Sequence, residues 1–116
     1  MEVIVDSILT SIKKLLGITE EYTHFDPDLI IHINSIFFTL NQLGVGPEKP
    51  FTIRDSLATW DDFQSENLEA VRTYIGLRAR LYFDPPTNSS LLNAMKEDVR
   101  ELEFRLNVAV DPKEDV

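Results

Sequence analysis

The chain of 116 residues contains no cysteine and only 4 glycines, and each shortage excludes a class of function. Without cysteine there is no disulfide, no thiolate metal site and no thiol nucleophile, which fits a reducing compartment. The glycines do not recur at the spacing of a phosphate-binding loop. No stretch approaches the roughly 18 apolar residues that a membrane-spanning helix needs. The chain starts with acidic residues where a signal peptide is basic, so we expect a soluble, non-secreted protein.

Basic residues are also few, because 11 Lys and Arg face 20 Asp and Glu, for a net charge of −9. A surface this acidic is not attracted as a whole to DNA phosphates. The 2 histidines, His24 and His32, have no third ligand near them in sequence, so no metal site is expected. No serine, histidine and acid form a recognisable catalytic set. We therefore expect a protein that is not an enzyme and that has no cofactor.

Apolar residues recur at helical spacing over most of the chain. The pattern predicts four main helices, at residues 3–16, 26–43, 66–83 and 88–107. Asp26 is expected to cap the second helix, with Pro27 at its first position. The Asp-Pro-Pro-Thr break at residues 84–87 separates the last two helices, which favours a helical hairpin. The sequence therefore predicts an all-α fold, a small bundle with a long structured loop between the second and third long helices.

Two lysines lie in the last turn of the predicted first helix. Lys13 and Lys14 lie near its C-terminal end, where cations suit the negative end of the helix dipole. We interpret both as solvated rather than as part of a ligand site.

The long loop spans residues 45–63 and carries its own anchors. Phe51, Trp60 and Phe63 are the candidate loop anchors, because their side chains can pack down onto the bundle. Thr59 followed by Asp62 resembles the start of a short helix. A structured loop on a small scaffold often carries function. The alternative, that it covers one end of the core, stays open.

The third helix carries more aromatic side chains, at Tyr74, Tyr82 and Phe83, than one core stripe needs. The candidate subunit interface consists of Tyr74, Arg78, Tyr82, Phe83 and Phe37. Aromatic residues and arginine are enriched at the cores of protein interfaces. These residues therefore predict contact with another subunit, although the arginines could equally be solvated or ion-paired.

The end of the chain differs in composition from the rest. We expect a helical domain over residues 1–107 and a polar tail over 108–116. Such a tail is typically disordered when free. Val108 and Val110 give it an apolar strip, and with Asp111 and Pro112 they form a candidate docking segment.

Residues 71–86, VRTYIGLRARLYFDPP, resemble the helix and proline break of tailed-phage head–tail connector proteins. The continuation over residues 91–107 and the two N-terminal helices agree in kind, so the resemblance covers nearly the whole chain. This is the adaptor family typified by the small connector of HK97-like siphophages, which also occurs in prophages.

The resemblance implies a structural protein of the virion, located at the head–tail junction after assembly in the bacterial cytoplasm. Related adaptors form a ring of about a dozen copies beneath the portal protein. Such a ring extends the DNA channel without binding the passing DNA specifically, and it is the platform for a stopper or tail-completion protein. Carried over, residues 108–116 would dock onto the portal and residues 45–63 would face the channel or the next ring.

Two other classes of function stay open. One is a small acidic helical adaptor or regulator that binds a host or phage protein through its helical hairpin. The other is a DNA-binding module with Arg72, Arg78 and Arg80 as phosphate contacts.

Overall fold

The computed structural model describes residues 7–110, and the predicted all-α class is confirmed. The helices are α1 (Ile8–Leu15), α2 (Asp26–Gln42), α3 (Trp60–Phe63), α4 (Leu68–Phe83) and α5 (Ser89–Val110). The four long ones correspond to the predicted main helices, although residues 3–6 of the predicted first helix lie outside the described residues. Helix α3 is the short helix expected within the loop. Strand-like pairing within residues 7–110 is confined to one isolated antiparallel bridge between Ser7 and Thr59.

Helix α4 lies at the centre of the packing. It contacts α5, α2 and α1, and α1 also packs against α2. The core draws its largest share from α2, whose buried side chains are Leu29, Ile33, Ile36, Phe37 and Leu40. On α5, by contrast, Leu106 is the buried residue, because this helix packs mainly against one neighbour.

The start of α2 differs by one residue from the prediction, and the difference has a physical cause. Phe25 occupies the N-cap, so Asp26 is the first helical residue and Pro27 the second. The Asp26 carboxylate does not cap the helix but faces α1, where its Oδ1 lies 2.9 Å from the Lys13 ammonium nitrogen.

Lys13 was expected in solvent, and this expectation was wrong. The residue is only 2% exposed. Besides its ion pair with Asp26, its ammonium group donates a hydrogen bond of 2.9 Å to the Glu20 carbonyl oxygen. A lysine is almost never buried without a partner, so this pair fixes the end of α1 against the start of α2. Lys14 is exposed, as predicted.

The loop before α3 is ordered by a side chain. Asn34 of α2 forms hydrogen bonds with both backbone groups of Ile53. Its Nδ2 donates to the Ile53 carbonyl at 3.0 Å, and its Oδ1 accepts from the Ile53 N–H at 2.7 Å. Gly46 has a φ of 91°, and a Cβ there would overlap the ring of Phe63, so the turn requires glycine.

Helix α5 extends beyond its predicted end at Asn107. The Asn107 amide donates a hydrogen bond of 3.1 Å to the Leu43 carbonyl oxygen, so the end of α5 is attached to the end of α2. Val110 also lies against Gly44. The expected boundary between domain and tail therefore falls inside a continuous helix.

Candidate functional site

Two of the predicted interface residues belong to the hydrophobic core of the chain instead. Tyr74 is 0% exposed and Phe37 is 1% exposed, so neither can touch another subunit. Phe37 packs against the rings of Phe51 and Phe63, both with centroids 5.0 Å away. This corrects the prediction for these two residues, because the loop aromatics close over the face of α2 that carries Phe37.

Tyr74 is at the centre of a polar cluster between α4 and α5. Its hydroxyl donates a hydrogen bond of 2.7 Å to Glu103 Oε2 and accepts one of 3.0 Å from Arg78 Nη1. Burial and the hydrogen bond to Glu103 raise the pKa of Tyr74 to about 12, although Arg78 acts in the opposite direction. Arg78 thus binds within the chain, half-buried beside the aromatic ring of Tyr74.

The raised pKa of Tyr74 predicts a loss of stability in alkali. The unfolded phenol ionises near its ordinary pKa of 10.0, while the folded one stays protonated to about 12. The contribution is therefore complete below pH 10.0 and is lost as the pH rises toward 12. We expect the free energy of unfolding, measured in urea across this range, to fall less steeply for Tyr74→Phe than for the wild type. Tyr22→Phe, at an exposed tyrosine, is the control, and equal slopes for wild type and Tyr74→Phe would contradict the prediction.

The other two aromatic candidates lie at an open groove between α2 and the end of α4. Tyr82 is 69% exposed, and Phe83 is half-buried. We call this groove, of about 580 Å³, the α2–α4 groove; it is lined by Leu16, Ile18, Phe25, Asp28, Ile31, Tyr82, Phe83 and Asp84. Most of these side chains are apolar, and Ile31 is 70% exposed. The apolar lining makes the groove a candidate site of protein interaction.

His32 orients one wall of the α2–α4 groove. Its ring stacks on Tyr82, with centroids 3.3 Å apart and planes 15° from parallel. Burial lowers the pKa of His32, and the charge of Arg78 lowers it further. Both effects favour the neutral form of the imidazole that stacks on the tyrosine. The stacking of His32 on Tyr82 could not be predicted from the sequence, since the two residues are far apart along the chain.

A second apolar surface lies on the outer side of α5. Phe104 is 68% exposed and Val108 is 51% exposed, one helical turn apart. We call these two residues the α5 ridge. Val108 was predicted to be part of a docking tail, and in the structure it belongs to α5. Asp111 and Pro112 of the same prediction lie outside the described residues.

The predicted loop anchors lie at the interface between the loop and the helices. Trp60 and Phe63 are buried, and Phe51 is half-buried. The Trp60 indole donates a hydrogen bond of 3.1 Å to Ser11 Oγ. Trp60 also forms one end of another groove, of about 550 Å³, between α1, α4 and the start of α5.

The loop presents one conspicuous apolar side chain that the sequence analysis missed. Leu57 is 78% exposed. Its N–H donates to Asp55 Oδ1 at 2.9 Å, and the following residue, Ala58, accepts a hydrogen bond of 3.0 Å from the Ile8 N–H. The turn is therefore held at both ends, since Ile53 is bound to Asn34. The Asp-Ser-Leu sequence at residues 55–57 could have predicted this turn, because an aspartate side chain often accepts a hydrogen bond from the backbone N–H two residues later.

The described part of the chain contains no candidate metal site. Within residues 7–110, no group of three or more His, Asp or Glu is arranged to hold a metal ion. None of the helices over that range is long and apolar enough to cross a membrane.

The fold is all-α, and it leaves separate apolar surfaces exposed. The family model described as phage connector protein matches residues 8–113. The match covers most of the chain, which therefore belongs to the phage connector protein family. Neither the curated proteins nor the solved structures contain a match to this chain. The narrower resemblance to HK97-like connectors stays a prediction.

Proposed function

We propose that the chain is a subunit of a head–tail connector ring in the virion of a tailed phage. The ring sits beneath the portal, extends the DNA channel and is the platform for a stopper or tail-completion protein. It acts without catalysis and without a cofactor. Membership of the phage connector family supports this role. The observation that carries it is the presence of two exposed apolar surfaces, the α2–α4 groove and the α5 ridge.

Two different surfaces on one subunit suit a ring. A contact between unlike surfaces leaves one of each free at the two ends of every partial assembly, so subunits continue to add until the ring closes. The free protein can be monomeric if the portal is the template, since a ring assembled on the portal need not form alone.

The charges of the subunit suit a channel through which DNA passes. With a net charge of −9, the chain as a whole repels phosphates. The arginines of α4 have partners within the subunit: Arg72 lies over Trp60 at 5.2 Å, and Arg78 binds Tyr74. Arg80 lies 3.9 Å from Asp84. The contacts of Arg72 and Arg78 argue against the DNA-binding alternative, in which these arginines would face phosphates.

The segment proposed to dock onto the portal is shorter than the sequence predicted. Val110 lies against Gly44 within the subunit, and Val108 is on α5. The proposal therefore starts at Asp111. The turn that presents Leu57 is the surface that we propose for the stopper or tail-completion protein, because it is exposed and held at both ends.

Replacing Ile31 with glutamate tests the assembly proposal. The side chain is 70% exposed, so the fold should tolerate the charge, while burial of that charge in a contact between subunits should abolish ring formation. Light scattering after size exclusion, with and without the portal protein, measures the assembly. Asn93→Glu, at an exposed position of α5, is the matched control and should assemble like the wild type. Normal ring formation by Ile31→Glu would exclude the α2–α4 groove as an assembly surface.

A further inference from the structure

We propose that residues 1–6 of the chain turn back at Ser7 and bind in the groove between α1, α4 and the start of α5. This α1–α4–α5 groove has a volume of about 550 Å³ and has Trp60 at one end. Its occupant is the chain's own N-terminal segment, Met-Glu-Val-Ile-Val-Asp, which precedes the described residues. Such binding does not require the proposed ring.

The α1–α4–α5 groove is largely apolar and open to solvent. Its apolar side chains come from all three helices and include Leu15 on α1, Leu77 on α4, and Leu91 and Met95 on α5. Leu15 is 52% exposed and Leu91 is 53% exposed. The buried residue of α5, Leu106, lies near the opposite end of that helix, so the start of α5 packs less closely. An apolar segment in the groove would remove exposed side chains of both α1 and α5 from water, which is favourable.

The geometry at Ser7 directs the preceding chain toward this groove. Ser7 is the N-cap of α1, with an extended backbone at φ −68° and ψ 133°, so the chain before it does not continue the helix. Ser7 also pairs with Thr59 in an antiparallel bridge. The two chains of an antiparallel pair run in opposite directions. The chain that precedes Ser7 is therefore directed along the residues that follow Thr59, and the first of these is Trp60, at the end of the groove.

The segment is long enough to occupy the groove. Along α1, the groove extends from Ser11, one turn beyond Ser7, to Leu15. A helix rises 1.5 Å per residue, so Leu15 lies about 12 Å from Ser7 along the axis. Six residues in an extended conformation reach about 20 Å. A segment attached at the edge of its own site has an effective concentration in the millimolar range, which favours it over a separate partner in dilute solution.

The sequence of the segment also suits the groove. Val3, Ile4 and Val5 are consecutive residues that favour an extended backbone. Side chains alternate between the two sides of such a segment, so Val3 and Val5 share the side of Ser7, which is buried. Ile4 shares the other side with the two acidic residues, which keep contact with water. Residues 111–116 lack such an apolar run, so they do not match this groove.

Cross-linking within one chain tests the binding, since the chain has no cysteine of its own. The full-length double variant Ile4→Cys with Met95→Cys is treated with a short bis-maleimide reagent, and the product within one chain is quantified by mass spectrometry of its peptides. Adding Val3→Asp and Val5→Asp leaves the tether unchanged but places charges on the side that binds the groove. We expect these two substitutions to lower the yield several-fold.

A second comparison keeps the segment intact. Asn93 is exposed on α5 and does not line the groove, although it is only two residues from Met95. Two residues correspond to about 200° around a helix, so the two positions face different sides. Ile4→Cys with Asn93→Cys should therefore give several-fold less product within one chain than Ile4→Cys with Met95→Cys.

Three results would overturn the inference. Equal yields with and without Val3→Asp and Val5→Asp would show that the tether alone brings Ile4 close to Met95. Equal yields at Met95 and Asn93 would show that the segment does not select the groove. A mixture of the single variants Ile4→Cys and Met95→Cys that gives more cross-linked dimer than the double variant gives product within one chain would identify a second copy as the source of the segment. Failure of the wild type to form rings on the portal would refute the proposed function without changing these yields.

Discussion

Replacing Trp60 with alanine is expected to lower the free energy of unfolding by about 3–5 kcal/mol, the usual cost of deleting a buried large aromatic side chain. Trp60 is 2% exposed and joins three parts of the chain. It belongs to α3 in the long loop, its indole nitrogen donates to Ser11 of α1, and Arg72 of α4 lies over its ring at 5.2 Å. Its loss therefore removes core packing, a hydrogen bond and a cation–π contact together.

Urea unfolding followed by far-ultraviolet circular dichroism measures this effect, because the signal does not depend on the deleted fluorophore. Leu57→Ala is a control within the same loop, and its 78% exposure predicts a change within about 0.5 kcal/mol. Equal unfolding curves for Trp60→Ala and Leu57→Ala would show that the loop does not contribute to the core.

Replacing Lys13 with methionine is expected to cost a comparable amount, about 3–5 kcal/mol, because it breaks a buried ion pair by removing one partner. The Lys13 side chain is 3% exposed and that of Asp26 is 23% exposed. The variant leaves the Asp26 carboxylate facing an apolar side chain. It also removes the donor to the Glu20 carbonyl. The end of α1 and the start of α2 then lose the contact that joins them.

A double variant shows how much of the lost free energy of unfolding comes from the unpaired carboxylate and how much from packing. In Lys13→Met with Asp26→Leu, no unpaired carboxylate remains, and we expect much of the lost stability to return. Lys14→Met, at an exposed neighbour, should change the free energy of unfolding by less than about 0.5 kcal/mol. A single variant Lys13→Met as stable as Lys14→Met would contradict the buried ion pair.

The features that were predictable from the sequence are the local ones. The all-α class, the apolar stripe of α2 and the proline break after α4 depend on neighbours within a few residues along the chain. The cap of α5 is another, since Asn88 Oδ1 accepts the Leu91 N–H at 2.9 Å. Helix periodicity and capping chemistry determine such features before any tertiary contact forms.

The features that were missed depend on contacts between distant residues. Lys13 follows the pattern of a solvated helix end, and only the position of Asp26 across the α1–α2 connection explains its burial. Asn34 gives no periodic signal, although it holds Ile53 through both backbone groups. The end of α5 was placed too early because its contact with Leu43 is invisible in the local pattern.

Tertiary packing also explains why only some of the predicted interface residues are exposed. Tyr74 and Tyr82 are both on α4, but they differ by about 80° around the helix axis. Because of this rotation, Tyr74 is buried against α5 and Tyr82 is exposed beside α2. Composition indicated more aromatic side chains than one stripe needs, but it could not say which of them reach the surface. Phe37 is likewise buried while its neighbour Phe38 is 53% exposed.

We propose above that the chain assembles as a ring on the portal. Negative-stain electron microscopy of the purified full-length chain, alone and mixed with the portal protein of the same phage, tests it most directly. The account predicts rings that cap the portal and continue its channel, with or without rings in the free protein. A chain that stays monomeric and leaves the portal bare at high concentration would contradict it.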